Sequence, residues 1–577
     1  MELSEVSSVR SWWRTGTAGV LGIAVATVAV HLATGWRYGF NRDELMALDD
    51  ARHLAWGYVQ YPPMTAFFGR VALILFGTSL VGFRFFAALV QALALVLTGL
   101  MAKELGGGKW AQVTAALAGV PFCLGGGALM QYISFDYVCW VWVAYSTVRV
   151  INGESGNGIE KLENGEIENV ERSEGERVQE AGRNRAACGS KDSRARGERW
   201  WLGVGAGIGL GMLAKYTMGF LVVGVVAGVL LTEARRHCKS MWLWLGVVVA
   251  CGIVLPNFIW EWQRNFISLD FLKFLHVRDV GEGLTDWFLL GQLQLTLLAF
   301  PLAMAGIWFY FLTEGGKRWR VLGWMYLVPL VLFLVMRGRD YYLAPGYPML
   351  YAAGAVWVEW EIRSKEARRP RSSEERRDHG RVASSERFAE DGGSRLENRF
   401  GSIVRRVIWV GLILDVLVAG AVALPIAPVG SGWWKLASRV DSVLPEEIGW
   451  PEFVETVAAV RDRLPESERA GVGILAGNYG EVGALNLYGE QFGLPRAMSG
   501  VNSSWERGYG DPPETVIVAG YSREFLEGEF ASCVVGGRVW NRFGLMNEET
   551  IEDPEIFVCR GLKGTWEEFW VRARRFA

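Results

Sequence analysis

The chain has 577 residues, of which 51% are hydrophobic, 21% charged and 13% aromatic, with 27 Trp and a formal net charge of −2. The apolar residues gather into runs near the ~20 residues that cross a bilayer, which excludes an ordinary soluble enzyme, a disordered chain and a disulfide-dense secreted one. The near-neutral balance argues against a nucleic-acid partner, which needs a basic face.

The first apolar run covers 16–36. Its length, and the many runs after it, favour a retained membrane helix over a signal peptide. The short stretch 63–77 reads as an interfacial helix. Further runs lie near 80–102, 109–127, 130–150, 200–214, 216–232, 241–259, 287–312, 321–337, 343–360 and 407–426. Together they predict an α-helical polytopic membrane protein with about eleven transmembrane helices. The segment 200–232 holds either two short helices or one long one. Its glycines, 203–211, lie inside a span, where they suit close helix packing better than a phosphate loop.

Lys and Arg crowd 103–109, 149–200, 233–239, 317–320 and 362–406. These segments alternate as cytoplasmic loops under the positive-inside rule, with the N-terminus cytoplasmic in a plasma (inner) membrane. The parity closes only if 200–232 holds two spans. Residues 152–199 and 362–406 cannot bury a core and read as disordered cytoplasmic loops, with binding of anionic lipid or a partner as the alternative. Residues 1–426 thus form a membrane domain.

From 427 to 577 the pattern changes. Short β-like runs at 471–476, 516–519, 533–535 and 556–559, with helical candidates at 451–464 and 565–576, predict a small extracytoplasmic α/β domain. Cys533 and Cys559 are its only cysteines. An oxidising compartment permits a bridge between them without requiring one. No Cys/His spacing of the zinc type occurs.

Polar residues that a membrane does not explain cluster in the outer loops. The first loop carries Asp43 and Glu44 directly after a span. Such a pair can take a proton from an acceptor hydroxyl while a lipid-borne group departs, and a nearby low dielectric raises carboxylate basicity. The same spacing fits a capped interfacial helix, with Asn41 or Asp43 as cap and Glu44 in the first turn. Asp136 sits near the outer mouth of an apolar helix, where a carboxylate is costly unless paired or functional. Lys215 lies between two short spans, as a phosphate ligand or a snorkelling side chain. Arg337 and Arg339 can hold a phosphate, and Tyr341 and Tyr342 can stack on a sugar or join the aromatic belt.

The strings Arg42-Asp43-Glu44-Leu45, Arg52-His53-Leu54-Ala55-Trp56-Gly57-Tyr58 and Pro62-Pro63 resemble the first outer loop of bacterial GT-C glycosyltransferases. These are the membrane proteins grouped with dolichyl-phosphate-mannose–protein mannosyltransferases and aminoarabinose transferases. Leu213-Ala214-Lys215-Tyr216-Thr217, and the run from Gly338 through Asp340 to Pro348, are similar to later loops of that group. In the tail, Asn478-Tyr479-Gly480-Glu481-Val482-Gly483-Ala484 and Gly510-Asp511-Pro512-Pro513 are similar to the outer domain of many bacterial members.

The resemblance implies a GT-C-like fold and transfer of a sugar from a polyprenyl-phosphate carrier to an acceptor outside the cytoplasm, with inversion. Asp43 matches the catalytic acid, with Glu44 beside it and Asp136 as a second-loop acid. Lys215 and Arg339 match positions that hold the carrier phosphate. Arg42, Tyr61, Arg337, Asp340, Tyr341 and Tyr342 complete the expected substrate-binding set. Implied partners are the lipid-linked donor, membrane lipid, and a protein, lipid or glycan acceptor. The chain lacks the large lumenal insert of the mannosyltransferases and has its own tail, which puts a protein acceptor in doubt. A divalent metal ion on Asp43 and Asp136 is compatible with the residues but not demanded by them. The rival reading is a transporter or flippase, which predicts ionisable groups near the bilayer midplane and broken helices in paired halves.

Overall fold

The computed structural model describes residues 16–153, 195–367 and 384–577. Most of the expected loop 152–199 therefore lies outside the described residues. Six described helices are long and apolar enough to cross a membrane: Gly16–Thr34, Leu80–Glu104, Met241–Gln263, Phe288–Leu312, Lys317–Val335 and Gly401–Ala423. A seventh is reached if Met218–Leu231 and Glu233–Lys239, bent by 101°, count as one span. The chain is thus a multi-pass membrane protein with fewer self-sufficient spans than the hydropathy runs suggest.

The shortfall has a physical cause. The segment 200–232 is two helices, Trp200–Ala214 and Met218–Leu231, broken at the extended residue Lys215. At about 1.5 Å per residue each is roughly 20 Å long, short of a ~30 Å hydrocarbon core. Tyr132–Gly153 and Tyr347–Ala367 are longer but carry ionic side chains. Other helices enclose them, so their polar groups find protein partners. Glu359, for instance, accepts the Gly108 N–H at 2.7 Å and Arg363 at 2.6 Å. The glycines of Trp200–Ala214 do serve close packing, since a Cβ on Gly205 would strike the Gly246 carbonyl of the neighbouring helix. The stretch 63–77 folds as the short apolar helix Met64–Phe76.

The expectation of disorder across 362–406 needs correction at both ends. Tyr347–Ala367 and Ser384–Ala423 run into that stretch as helix. Once a span has nucleated a helix, extension adds a hydrogen bond per residue at little further cost, and a charged sequence can follow.

The C-terminal region forms a five-stranded sheet of order β2-β1-β3-β5-β4. The strands are β1 Gly473–Ala476, β2 Met498–Ser499, β3 Thr515–Ala519, β4 Phe530–Arg538 and β5 Glu555–Leu562. β1 pairs in parallel with β2 and β3, whereas β5 runs antiparallel to both β3 and β4. β3 is buried along its whole length and forms the spine of this core. Helices cover the sheet at Trp450–Asp462 and Trp566–Ala573, close to the expected positions. Cys533 and Cys559 face each other in the β4–β5 register and are disulfide-bonded.

The C-terminal sheet is not a free appendage. Its helix Tyr479–Tyr488 lies on the first-loop helix Arg42–Arg52. A second tie is ionic: the buried Arg84 of Leu80–Glu104 holds Glu44 at 2.6 Å and Glu447 at 3.0 Å. One guanidinium thereby joins a membrane helix, the first loop and the C-terminal region.

Candidate functional site

The two acids of the first loop meet opposite fates. Arg42–Arg52 opens on a capping box: the Asn41 side chain accepts the Asp43 N–H at 3.0 Å, and Glu44 accepts the Asn41 N–H at 3.0 Å. Glu44 also accepts Arg84 and the Met130 N–H at 2.9 Å and is fully buried. Its lone pairs are committed to the fold, as the capping alternative anticipates. Asp43, one position earlier, turns the other way. It lines a polar chamber of about 360 Å³, where Gln131 Nε2 donates to it at 3.1 Å. Burial raises the Asp43 carboxyl above its ordinary range, against the opposing pull of the Arg42 guanidinium and a hydrogen bond from Tyr479.

A second, more apolar chamber of about 260 Å³ adjoins the first. Lys215, Arg337 and Arg339 line it beside Phe220, Leu272 and Phe333. The chambers share Gln60, Tyr132, Leu275, Asp279, Arg339 and Tyr342. Lys215 owes its place to the helix break. Its ammonium stands 5.2, 4.8 and 4.2 Å from the rings of Tyr132, Tyr341 and Tyr342. Ring faces stabilise a cation without neutralising it, so the charge is held in place and remains available to an anion. Arg339 is fixed by two hydrogen bonds of 2.6 Å to Asp279, on the helix Ile267–Gly281 that roofs both chambers.

Other expected site residues are distributed unevenly. Arg42, Tyr341 and Tyr342 line the polar chamber, and Tyr61 and Arg337 the apolar one. Arg337 also reaches out to Asp286 at 2.7 Å. Tyr61 donates to Asp50 at 2.7 Å, so its hydroxyl is already engaged. Three residues do not join the lining. Glu44 points into the core. Asp136 is buried in Tyr132–Gly153, accepting Trp140 at 3.1 Å and Thr217 at 3.4 Å. Asp340 turns back to its own turn, accepting the Tyr341 N–H at 2.7 Å. Asp43 and Asp136 therefore do not share a chamber as a metal on both would need. Among the described residues no group of three or more His, Cys, Asp or Glu is arranged to hold a metal ion.

Sequence reasoning passed over Asp279, Gln131 and Tyr479 as site residues. Asp279 had a weak signal, an Arg278-Asp279 pair among the several charges of the segment 258–286. Tyr479 had a weaker one, its place in the capping sequence Asn478-Tyr479-Gly480-Glu481. Nothing local tells that this helix start faces Asp43.

Residues 60–158 and 192–260 match the family model described as dolichyl-phosphate-mannose-protein mannosyltransferase. No curated protein matches the chain by sequence. Among solved structures, ArnT from Cupriavidus metallidurans in the apo state aligns with a TM-score of 0.51 at 14% identity, covering 96% of this chain and 98% of that one. The same protein bound to undecaprenyl phosphate gives 0.49 at 14% identity, with 93% and 97% covered. The archaeal oligosaccharyltransferase AglB from Archaeoglobus fulgidus, in complex with an inhibitory peptide and a dolichol-phosphate, gives 0.49 at 13% identity, with 88% and 70% covered. The apo ArnT alignment runs over nearly the whole length of both chains, and the chain has the GT-C-like fold expected from its loops.

Proposed function

We propose that this chain is an integral-membrane glycosyltransferase that moves a sugar from a polyprenyl-phosphate carrier to an acceptor on the extracytoplasmic side, with inversion. One observation carries the reading. An apolar chamber holding fixed cations shares a wall with a polar chamber holding a basic carboxylate. The carrier's isoprenoid end would enter through the apolar side, with its phosphate between Lys215 and Arg339. The sugar would sit at the shared wall of Tyr132 and Tyr342, and the acceptor hydroxyl beside Asp43.

The step balances simply. The bond between the anomeric carbon and the phosphate oxygen breaks, and the electron pair leaves with the phosphate. Lys215 and Arg339 stabilise the charge that gathers there. The acceptor oxygen bonds to the opposite face of the anomeric carbon, and its proton passes to Asp43. Holding donor and acceptor in adjoining chambers supplies the alignment that in-line displacement needs. The match to a mannosyltransferase family model supports sugar transfer.

The test uses purified full-length protein in lipid nanodiscs. Radiolabelled polyprenyl-phosphate sugars (mannose, glucose, aminoarabinose, galactosamine) are offered with membrane extract as the acceptor source. Transfer of label by the wild type and its loss in Asp43→Asn are expected. Full transfer by Asp43→Asn would remove the catalytic role. Movement of intact donor across the bilayer without transfer would replace the reading with a flippase.

A further inference from the structure

We infer that the C-terminal α/β region is part of the catalytic apparatus: it splints the first-loop helix, and Tyr479 holds the Asp43 carboxylate toward the acceptor, as a positioning residue. This rests on reading Asp43 as the base.

The first-loop helix cannot orient Asp43 unaided. It has 11 residues, and helices shorter than roughly 12–15 residues are marginal on their own in water. Its direction must come from packing, and the C-terminal region grips it at three places. At the start, Arg42 lies over the Tyr479 ring at 5.2 Å and pairs with Glu548. A Cβ on Gly480 would come within 2.8 Å of the Arg42 Cβ. In the middle, a Cβ on Gly483 would lie 2.6 Å from the Leu45 backbone, so the two helices touch with no side chain between them. At the far end, Arg507 pairs with both Asp49 and Asp50. Asn486 donates to Asp49 at 3.2 Å and accepts Arg52 at 2.6 Å.

Tyr479 is itself well anchored. It is the first residue of a helix closed by its own capping box, in which Glu481 also accepts the Gly477 N–H at 2.8 Å. It lines the polar chamber with Asp43. It therefore faces the same chamber as the carboxylate that Gln131 Nε2 holds at 3.1 Å. The charged and titratable groups facing Asp43 are Arg42 and Glu44 on its own helix, Tyr132 on the second loop, and Glu446, Tyr479 and Glu548 from the C-terminal region. Among these, Tyr479 is the neutral donor that the C-terminal region brings to the chamber. Such a donor fixes geometry and favours the ionised carboxylate.

The experiment compares full-length Asp43→Asn and Tyr479→Phe with wild type, using the donor that supports turnover in the assay above. Tyr479→Phe should lower kcat about 10-fold or more, the loss expected for a hydrogen bond to a charged group. The donor KM should hold, as should binding of polyprenyl monophosphate read by the shift in unfolding temperature. The acid limb of kcat/KM should move to higher pH, because the ionised carboxylate has lost a donor. If Asp43→Asn is inactive while Tyr479→Phe keeps wild-type kcat and pH profile, the inference falls and the base assignment stands. A slowed Tyr479→Phe with an unmoved acid limb and weakened carrier binding would mark a merely structural residue and also overturn the inference. If Asp43→Asn is fully active, the base assignment falls and takes the inference with it.

Discussion

The two adjoining chambers are built from different kinds of structure. The apolar one is furnished by helix ends and loops of the membrane bundle: the break at Lys215, the turn at Arg339 and the roof helix Ile267–Gly281. The polar one is assembled across long sequence distances. The first loop supplies Asp43, the second Gln131 and Tyr132, and the C-terminal region Glu446, Tyr479 and Asn502. On the proposed reading the lipid-linked donor arrives from the bilayer, so its site can be made where the helices end. On the same reading an acceptor from the aqueous side needs walls above the membrane, and helices and loops of the C-terminal region supply them. The donor side should therefore tolerate damage to the C-terminal region, and the acceptor side should not.

The largest effect expected is on the polar side. Asp43→Asn should lower kcat by about 10²- to 10⁴-fold, the usual worth of a positioned general base, with donor KM little changed. Because burial raises this carboxyl above its ordinary value, the acid limb of the wild-type kcat/KM profile should fall above pH 4. Activity is present where Asp43 is ionised and is lost as pH falls through its raised pKa. An acid limb at or below the ordinary aspartate range would contradict the buried-base picture.

Damage to the apolar side should read out in binding. Lys215→Ala and Arg339→Ala should each weaken polyprenyl-phosphate affinity by about 10- to 100-fold, as charge-assisted hydrogen bonds to the phosphate are lost. Arg339→Lys should recover only part of the loss, since lysine cannot reproduce the two-point contact with Asp279. Equal losses in kcat and none in affinity would erase the division between the chambers.

A smaller effect on chemistry, but a large one on folding, is expected one residue from the base. Glu44→Leu should leave Arg84 buried beside a single carboxylate and destabilise the fold by about 3–5 kcal/mol. The turnover of the molecules that still fold should stay near wild type, measured as activity per folded protein. Smallest of all, replacing Cys533 and Cys559 with Ser should cost the C-terminal region roughly 3 kcal/mol or less, seen as a lower unfolding temperature under non-reducing conditions. The donor affinity of that variant should be unchanged.

Much of the architecture was legible along the chain. The apolar runs mark where the helices fall, the alternating short runs of the tail mark most of its strands, and Asn41 and Glu44 spell out a capping box. The cap and the base were competing readings of one loop, and the cap uses only one of its two acids. Glu44 takes the cap and Asp43 the chamber. Asp136 is a related case. Its position near a helix start suggests the outer mouth, yet it is buried, with Trp140 and Thr217 as its hydrogen-bond donors.

What the sequence determined by itself is what single segments decide. Transfer of apolar runs out of water and capping of helix ends depend on residues a few positions apart. Which carboxylate faces the chamber, and that a tyrosine from the C-terminal region stands beside it, was settled only by tertiary structure. Those contacts join residues such as Asp49 and Arg507, which lie 458 positions apart. The pairing depends on how separate helices and a sheet pack together, a relation that no local pattern of residues encodes.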